Sequence, residues 1–262
     1  MTKVSNDKYL GDIVSNDGKM DKNIKMRESK GYSASSQILT ILKTVSLGNH
    51  YFYIAKLMRN AALVNKVLVN SEVWYPINET NLKSLVRVDE IFMRKIFEVC
   101  ESTPKESLYL ELGLIPIDDI VKCRRIMYLH YILTQDKNQL LYKFFQAQMR
   151  NPSKGDWTEI VKQDLIDFNI SQTFDEISKM KVQNFKVKVK KACKIYTFNK
   201  LIAIKNRHEK NKHIEYSKLE TSKYLLSNMF SVTQSRILFK LRTRMLDVKA
   251  NLKKNIKIIF PY

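Results

Sequence analysis

From Asp21 onward the apolar residues of this chain recur at helical spacing rather than in strand alternation. Ile24, Tyr32, Ile38, Leu39 and Leu42 leave a polar opposite face and predict a helix from Asp21 to about Ser46, closed by "LGNH". Ile54, Leu57, Met58, Ala61, Val64, Val67 and Leu68 predict a second from about Tyr51 to Val69, which "WYPI" ends because the residue before Pro76 is pushed out of the α region. A third, from about Glu79 to Cys100, carries Leu82, Leu85, Ile91, Phe92 and Phe97.

Helix punctuation continues down the chain. "TPKE" predicts a start with Thr103 as cap, Pro104 first and Glu106 reaching back, and Gly113 closes that short helix. "IPIDDIVKCRRIMYLHYIL" starts the next, with Ile120, Val121, Ile126, Met127, His130 and Leu133 facing inward. "TFDE" and "SVTQ" predict capping boxes through Thr173 with Glu176 and Ser231 with Gln234. Between Lys181 and Lys212 the local alternation "FKVKVKK" suits a strand, but Val182, Phe185, Val189, Ala192 and Tyr196 keep helical spacing, so a helix is expected. The one linker-like stretch, "RNPSKGDW", predicts a boundary near residue 151.

Only the first twenty residues read differently. The apolar positions Tyr9, Leu10, Ile13 and Val14 stop at Asn16-Asp17-Gly18, and Asp-Gly between extended segments predicts a β-hairpin turning there. The fold class is therefore all-α with a short amino-terminal β-hairpin. Two strands alone are marginal in water, so the hairpin either packs on the helices or belongs to a larger sheet.

Charge alters this picture more than length does. The chain has 262 residues, 44% of them hydrophobic, enough for a proper core. Its 46 Lys and Arg against 26 Asp and Glu give a formal net charge of +20, which makes a polyanion the default partner. The basic residues crowd into one segment, with Lys186, Lys188, Lys190, Lys191, Lys194, Lys200, Lys205, Arg207, Lys210 and Lys212 facing the single acid Glu209. Such charge also suits an acidic protein surface or an anionic membrane. A membrane-surface helix would expose large apolar residues opposite its lysines, whereas a polyanion-binding helix buries them in its own domain.

Candidate chemistry is sparse. Cys100, Cys123 and Cys193 are an odd number and far apart, which suits buried thiols in a reducing compartment. His208 and His213 have no cysteine nearby for a zinc site. His130 reads as a core or boundary histidine, because no Ser, Cys or carboxylate is placed to use it. Asp118-Asp119, the only Asp pair, falls at a helix start where carboxylates meet the dipole favourably. Neither a signal-type h-region nor a membrane-length apolar run is present, so an intracellular chain is expected.

The order of landmarks carries more than any single one. "KYLGDIVSNDGKMDKNIKMRESKGYSASSQILTILK", then "WYP", "RVDEIFMRKIF", "TPKESLYLELGLIPI", "RRIMYLHYIL" and, near the end, "FKLRTRM", resembles the region that follows the catalytic palm in reverse transcriptases of non-LTR retrotransposons. The resemblance implies that Tyr9, Leu10 and Gly11 belong to the last hairpin of a palm sheet whose other strands precede Met1. Residues 1–20 would be that hairpin, 21–150 a thumb-like helical domain and 151–262 a basic carboxy-terminal region.

It further implies that the palm carboxylates which hold two metal ions lie outside this chain, as does the Cys/His segment that follows "RTRM" in the family. No catalytic residue, metal or cofactor is then expected here. What the resemblance leaves is contact with template–primer nucleic acid, RNA–DNA hybrid or duplex, through phosphates and without sequence preference. Lys186, Lys188, Lys190, Lys191 and Lys194, with Arg242 and Arg244, are the candidates, beside Tyr9, Leu10 and Gly11. Phe185, Tyr196 and Phe198 interleave with them, though helical spacing already explains Phe185 and Tyr196 as core. A protein-interaction module, or a decayed element without selected function, remains the alternative.

Overall fold

A computed structural model describes residues 6–9, 12–153, 155–208 and 213–246. The elements, in chain order, are β1 (Asn6–Tyr9), β2 (Asp12–Ser15), α1 (Asp21–Thr44), α2 (Tyr51–Met58), α3 (Val64–Val67), α4 (Glu79–Phe97), α5 (Lys105–Leu112) and α6 (Ile117–Leu133). There follow α7 (Leu140–Arg150), α8 (Trp157–Asp167), α9 (Phe174–Lys179), α10 (Val182–Arg207), α11 (Lys223–Leu226) and α12 (Val232–Arg242). The fold is all-α with a small amino-terminal hairpin.

The hairpin turns elsewhere than its sequence suggests. Tyr9 pairs with Asp12 and Asn6 with Ser15, so the connection is Leu10-Gly11, which lies outside the described residues. Asn16-Asp17-Gly18 instead leads β2 into α1: Gly18 N–H donates to Ser15 O at 3.1 Å, Gly18 has φ +69°, and Asp17 accepts from Lys19 N–H at 3.0 Å. Asp-Gly specifies a reversal, but a reversal into a helix satisfies the same backbone requirement as a hairpin loop.

The chain divides into two units, each discontinuous in sequence. The first comprises Met1–Tyr32, Val64–Val88 and Ile115–Thr197. Its core joins Ile126, Leu129 and Ile132 of α6 to Phe145, Trp157, Val161, Leu165, Ile177, Phe185 and Val189. Phe145 and Trp157 lie on either side of "RNPSKGDW" and pack into this one core, so that stretch is a loop within a unit and the boundary expected at 151 does not fall there. Polar composition marks an exposed connection but not whether the helices it joins separate. In the same unit Arg125 Nε and Nη2 donate to the two Asp164 carboxylate oxygens at 2.7 and 3.1 Å, a buried bidentate pair. Arg27 pairs with Asp12 at 2.6 Å and Asn70 Nδ2 donates to the same carboxylate at 2.7 Å, which ties the hairpin to its unit.

The second unit comprises Ser33–Leu63, Asp89–Leu114 and Phe198–Tyr262. Phe52, Phe97 and Phe239 form its aromatic spine, with ring centroids 5.2 and 4.1 Å apart. Arg59 and Asp89 are fully buried; Arg59 Nε donates to Asp89 Oδ1 at 2.8 Å and the Tyr109 hydroxyl to Oδ2 at 3.1 Å. Burial opposes the Arg59 charge, but the Asp89 carboxylate outweighs it and holds the guanidinium pKa above its ordinary value.

Local signals survive unevenly. Both expected capping boxes form, at Thr173 with Glu176 and at Ser231 with Gln234. The one at Thr103 does not: α5 starts after Pro104 without a side-chain cap, while Thr103 and Glu106 are buried. Leu57 is exposed, because Tyr51, Phe52 and Ala55 set the buried face of α2 and a π-turn at Arg59–Leu63 re-phases the helix before Leu63, Val64, Val67 and Leu68 turn inward. Cys100 lies past the end of α4 and is exposed rather than buried.

Candidate nucleic-acid interface

The basic segment folds as α10, and its orientation is set from the inside. Phe185, Val189 and Cys193, spaced at i, i+4 and i+8, are 0, 0 and 1% exposed. The His130 ring of α6 stacks on Phe185 at 4.9 Å; its Nε2–H donates to Met180 O at 2.9 Å, the carbonyl being able only to accept. Further along, Cys193 Sγ donates to Asp119 O at 3.8 Å and Thr197 Oγ1 to Asp119 Oδ2 at 2.9 Å. Lys122 of α6 donates to the Tyr196 hydroxyl at 3.3 Å and also pairs with Asp167.

With that stripe inward, Lys186, Lys190, Lys191 and Lys194 are exposed together with Val182, Val187 and Ile195. Lys188 is half-buried, and its charge helps hold the Glu176 carboxyl below the usual range, after the hydrogen bonds from Thr173. Lys186, Lys191 and Lys194 make no ion pair or hydrogen bond among the described residues. Lys186, Lys190 and Lys194 form an i, i+4, i+8 row of like charge, and each such neighbouring pair weakens an isolated helix by about 0.2–0.5 kcal/mol. No acid sits in the first turn of α10 to relieve it. Burial of Phe185, Val189 and Cys193 is what offsets this repulsion.

Tyr9 ends β1 in the same unit, and Leu10 and Gly11 lie outside the described residues. Arg242 and Arg244 belong to the other unit. Arg242 Nε donates to Glu111 Oε1 at 2.9 Å and its guanidinium lies over the Tyr224 ring at 5.6 Å. Tyr216 donates to the same Glu111 oxygen at 2.7 Å, and burial followed by the Glu111 charge raises the pKa of both Tyr216 and Tyr224. Arg242 is thus occupied in an internal network, a pairing across 131 positions that no sequence window contains. Arg244 is exposed, with φ +52° just beyond α12.

Of the remaining chemistry, Asp118 and Asp119 stand in the first turn of α6, and Asp119 is buried on Thr197. Among the described residues no group of three or more His, Cys, Asp or Glu is arranged to hold a metal ion, and no helix is long and apolar enough to cross a membrane. Phe185 is core, Tyr196 is half-buried against Phe168, and Phe198 is half-buried. The sequence gives no sign of an aromatic-lined cavity of about 270 Å³ in the first unit, which takes residues from four separate stretches of chain. Comparison with family models, curated proteins and solved structures finds no match to this chain.

Proposed function

We propose that this chain is a non-catalytic part of a reverse transcriptase of the non-LTR retrotransposon type, the thumb and carboxy-terminal region, and that it holds template–primer nucleic acid through its phosphates. The observation that carries the reading is the lysine row on α10: four exposed lysines on an acid-free face, three of them without a partner among the described residues. Fixed cations at helical spacing neutralise phosphates while reading no base, which gives grip without sequence preference.

Burial of the Phe185–Val189–Cys193 stripe inside the unit favours a polyanion over a membrane surface, and the exposed Val182, Val187 and Ile195 alternate with the lysines around α10 instead of forming a separate apolar face opposite them, as a helix in a bilayer interface would. Polymerisation is assigned to palm residues outside this chain, so the expected role is positioning.

The test compares two charge reversals of equal size. Lys186, Lys190, Lys191 and Lys194 are changed together to Glu; in a second variant Lys19, Lys25, Lys43 and Lys223, exposed elsewhere, are changed likewise. Binding to a labelled RNA–DNA hybrid is expected to fall much further in the first. Equal losses would reduce the site to diffuse net charge, and retained binding in both would remove it.

A further inference from the structure

The aromatic-lined cavity of the first unit contains none of the lysine row's residues and has a different chemistry. Tyr75, Tyr128, Phe144 and Trp157, from four separate stretches of chain, supply its ring surfaces. Tyr128 meets Trp157 edge-on at 5.9 Å. Trp157 Nε1–H donates to Glu72 O at 2.9 Å and the Tyr75 hydroxyl to Asp156 at 3.3 Å, so the polar ends of these two rings are already engaged. The Gln148 amide, half-buried in the lining, makes no hydrogen bond among the described residues. At about 270 Å³ the space is smaller than the roughly 300–1,000 Å³ of a drug-sized ligand pocket and suits one compact head group.

The charge beside these rings is negative, in a chain that is otherwise strongly basic. Burial and then the Asp156 and Glu159 carboxylates hold the Tyr75 phenol above its ordinary pKa. Burial, the neighbouring Tyr131 and the Glu72 carboxylate do the same to Tyr128. Two of the three acids are fixed in place at the start of α8: Asp156 accepts from Ser153 N–H at 2.6 Å and Glu159 from Gly155 N–H. Arg124, which the Glu72 charge also reaches, donates to Leu68 O and Asn65 Oδ1. Lys143 and Arg150 of α7 are not in the lining and lie on the side of that helix opposite Leu141, Phe145 and Gln148.

We propose that this cavity takes the quaternary ammonium head of a trimethylated lysine, presented by a basic peptide of another protein. The negative faces of aromatic rings attract such a head, and carboxylates beside them add to the field. A quaternary ammonium has no N–H, so it enters a ring-lined space without leaving a donor unpaired. An unmodified lysine brings three donors to a lining in which the Gln148 carbonyl answers one, and a buried donor without a partner is costly. A phosphocholine lipid carries the same head but sets a phosphate against Glu72, Asp156 and Glu159. A proline-rich peptide suits an aromatic groove but has no charge to answer those three acids. The inference goes beyond the proposed function and does not rest on it, since it gives the chain a protein partner at a surface separate from α10.

The experiment titrates the whole chain into fluorescein-labelled peptides rich in lysine and alanine that differ at one central position. That position holds trimethyllysine, lysine, or the neutral analogue of trimethyllysine in which carbon replaces the quaternary nitrogen. Comparing peptides that differ only there cancels the general repulsion of a basic peptide by a chain of net charge +20. Trimethyllysine is expected to bind about tenfold more tightly than either of the others, the weight of one or two cation–π contacts to a desolvated head. Phe144 is 65% exposed, so Phe144→Ala should keep the fold while abolishing the preference, and Phe144→Tyr should retain it. Glu72→Gln should narrow the preference for trimethyllysine over its neutral analogue. Equal affinity for those two peptides overturns the proposal by reducing the cavity to an apolar contact, and equal affinity for trimethyllysine and lysine overturns it as well. So does a preference that survives Phe144→Ala, or displacement of the trimethyllysine peptide by phosphocholine vesicles or by a proline-rich peptide. None of these variants touches α10, so their failure leaves the lysine row to be judged by its own test.

Discussion

Replacing Phe185 by Ala tests whether the lysine row is held out from the inside. The side chain is fully buried, belongs to the α6–α8–α10 core and carries the His130 ring at 4.9 Å. Removing it forfeits its transfer free energy and leaves a cavity that closes only partly, a loss of about 3–5 kcal/mol for a buried Phe. With about 2–4 °C of Tm per kcal/mol in a chain of this size, melting should fall by roughly 6–20 °C. Phe185→Leu refills most of the volume and should cost under about 1.5 kcal/mol. The assay is urea unfolding followed by circular dichroism, with hybrid binding measured in parallel below the transition. Binding should persist while the fold does, because the variant leaves every lysine in place. A Phe185→Ala midpoint matching the wild type would refute the reasoning, since α10 would then not be anchored through this stripe.

Three further outcomes follow from other parts of the chain. Thr173→Ala removes a capping box seen in full and should cost about 1 kcal/mol by urea titration; because the Glu176 carboxyl is held low, its contribution is present above the ordinary carboxylate pKa and is lost as pH falls through the folded value, so the variant should show a weaker acid dependence. Gly113→Ala sets a Cβ against the Glu220–Thr221 backbone at φ +60°, and should destabilise by more than about 1 kcal/mol, read as a lower melting temperature. Tyr216 and Tyr224 have raised pKa values, so their contribution is complete below the ordinary tyrosine pKa and is lost as pH rises above it; absorbance at 295 nm should show tyrosines that ionise only as the chain unfolds.

Much of the helical layout was legible because it is local. The starts of α9 and α12 follow from short capping signals, and the inward Phe185 and Val189 of α10 from spacing alone, although Val182, expected beside them, is exposed in the first turn of that helix. His130 was legible as core for the same reason. What escaped depends on distant partners. Asp17-Gly18 forms a turn whether it leads to a strand or to α1, and only the register Tyr9 to Asp12 shows where the hairpin closes. Thr103 is drawn into the interior of its unit, which a capping rule does not weigh. The lysine row was visible because its members are consecutive on one helix, whereas the pairing of Arg242 with Glu111 was not, because Glu111 lies far away in sequence. The cavity around Phe144 was invisible because its rings come from separate elements and have no common period.

The most direct measurement is the salt dependence of affinity for an RNA–DNA hybrid and for duplex DNA, in the wild type and in the Lys186, Lys190, Lys191 and Lys194 to Glu variant. Log K for the wild type should fall linearly with log salt, with a slope of about −0.9 per phosphate neutralised on duplex DNA and with little dependence on sequence. The variant should bind more weakly with a shallower slope, its unfolding midpoint staying close to that of the wild type. No binding at low salt, or a variant with the wild-type slope and affinity, would contradict the claim that this face of α10 grips phosphates.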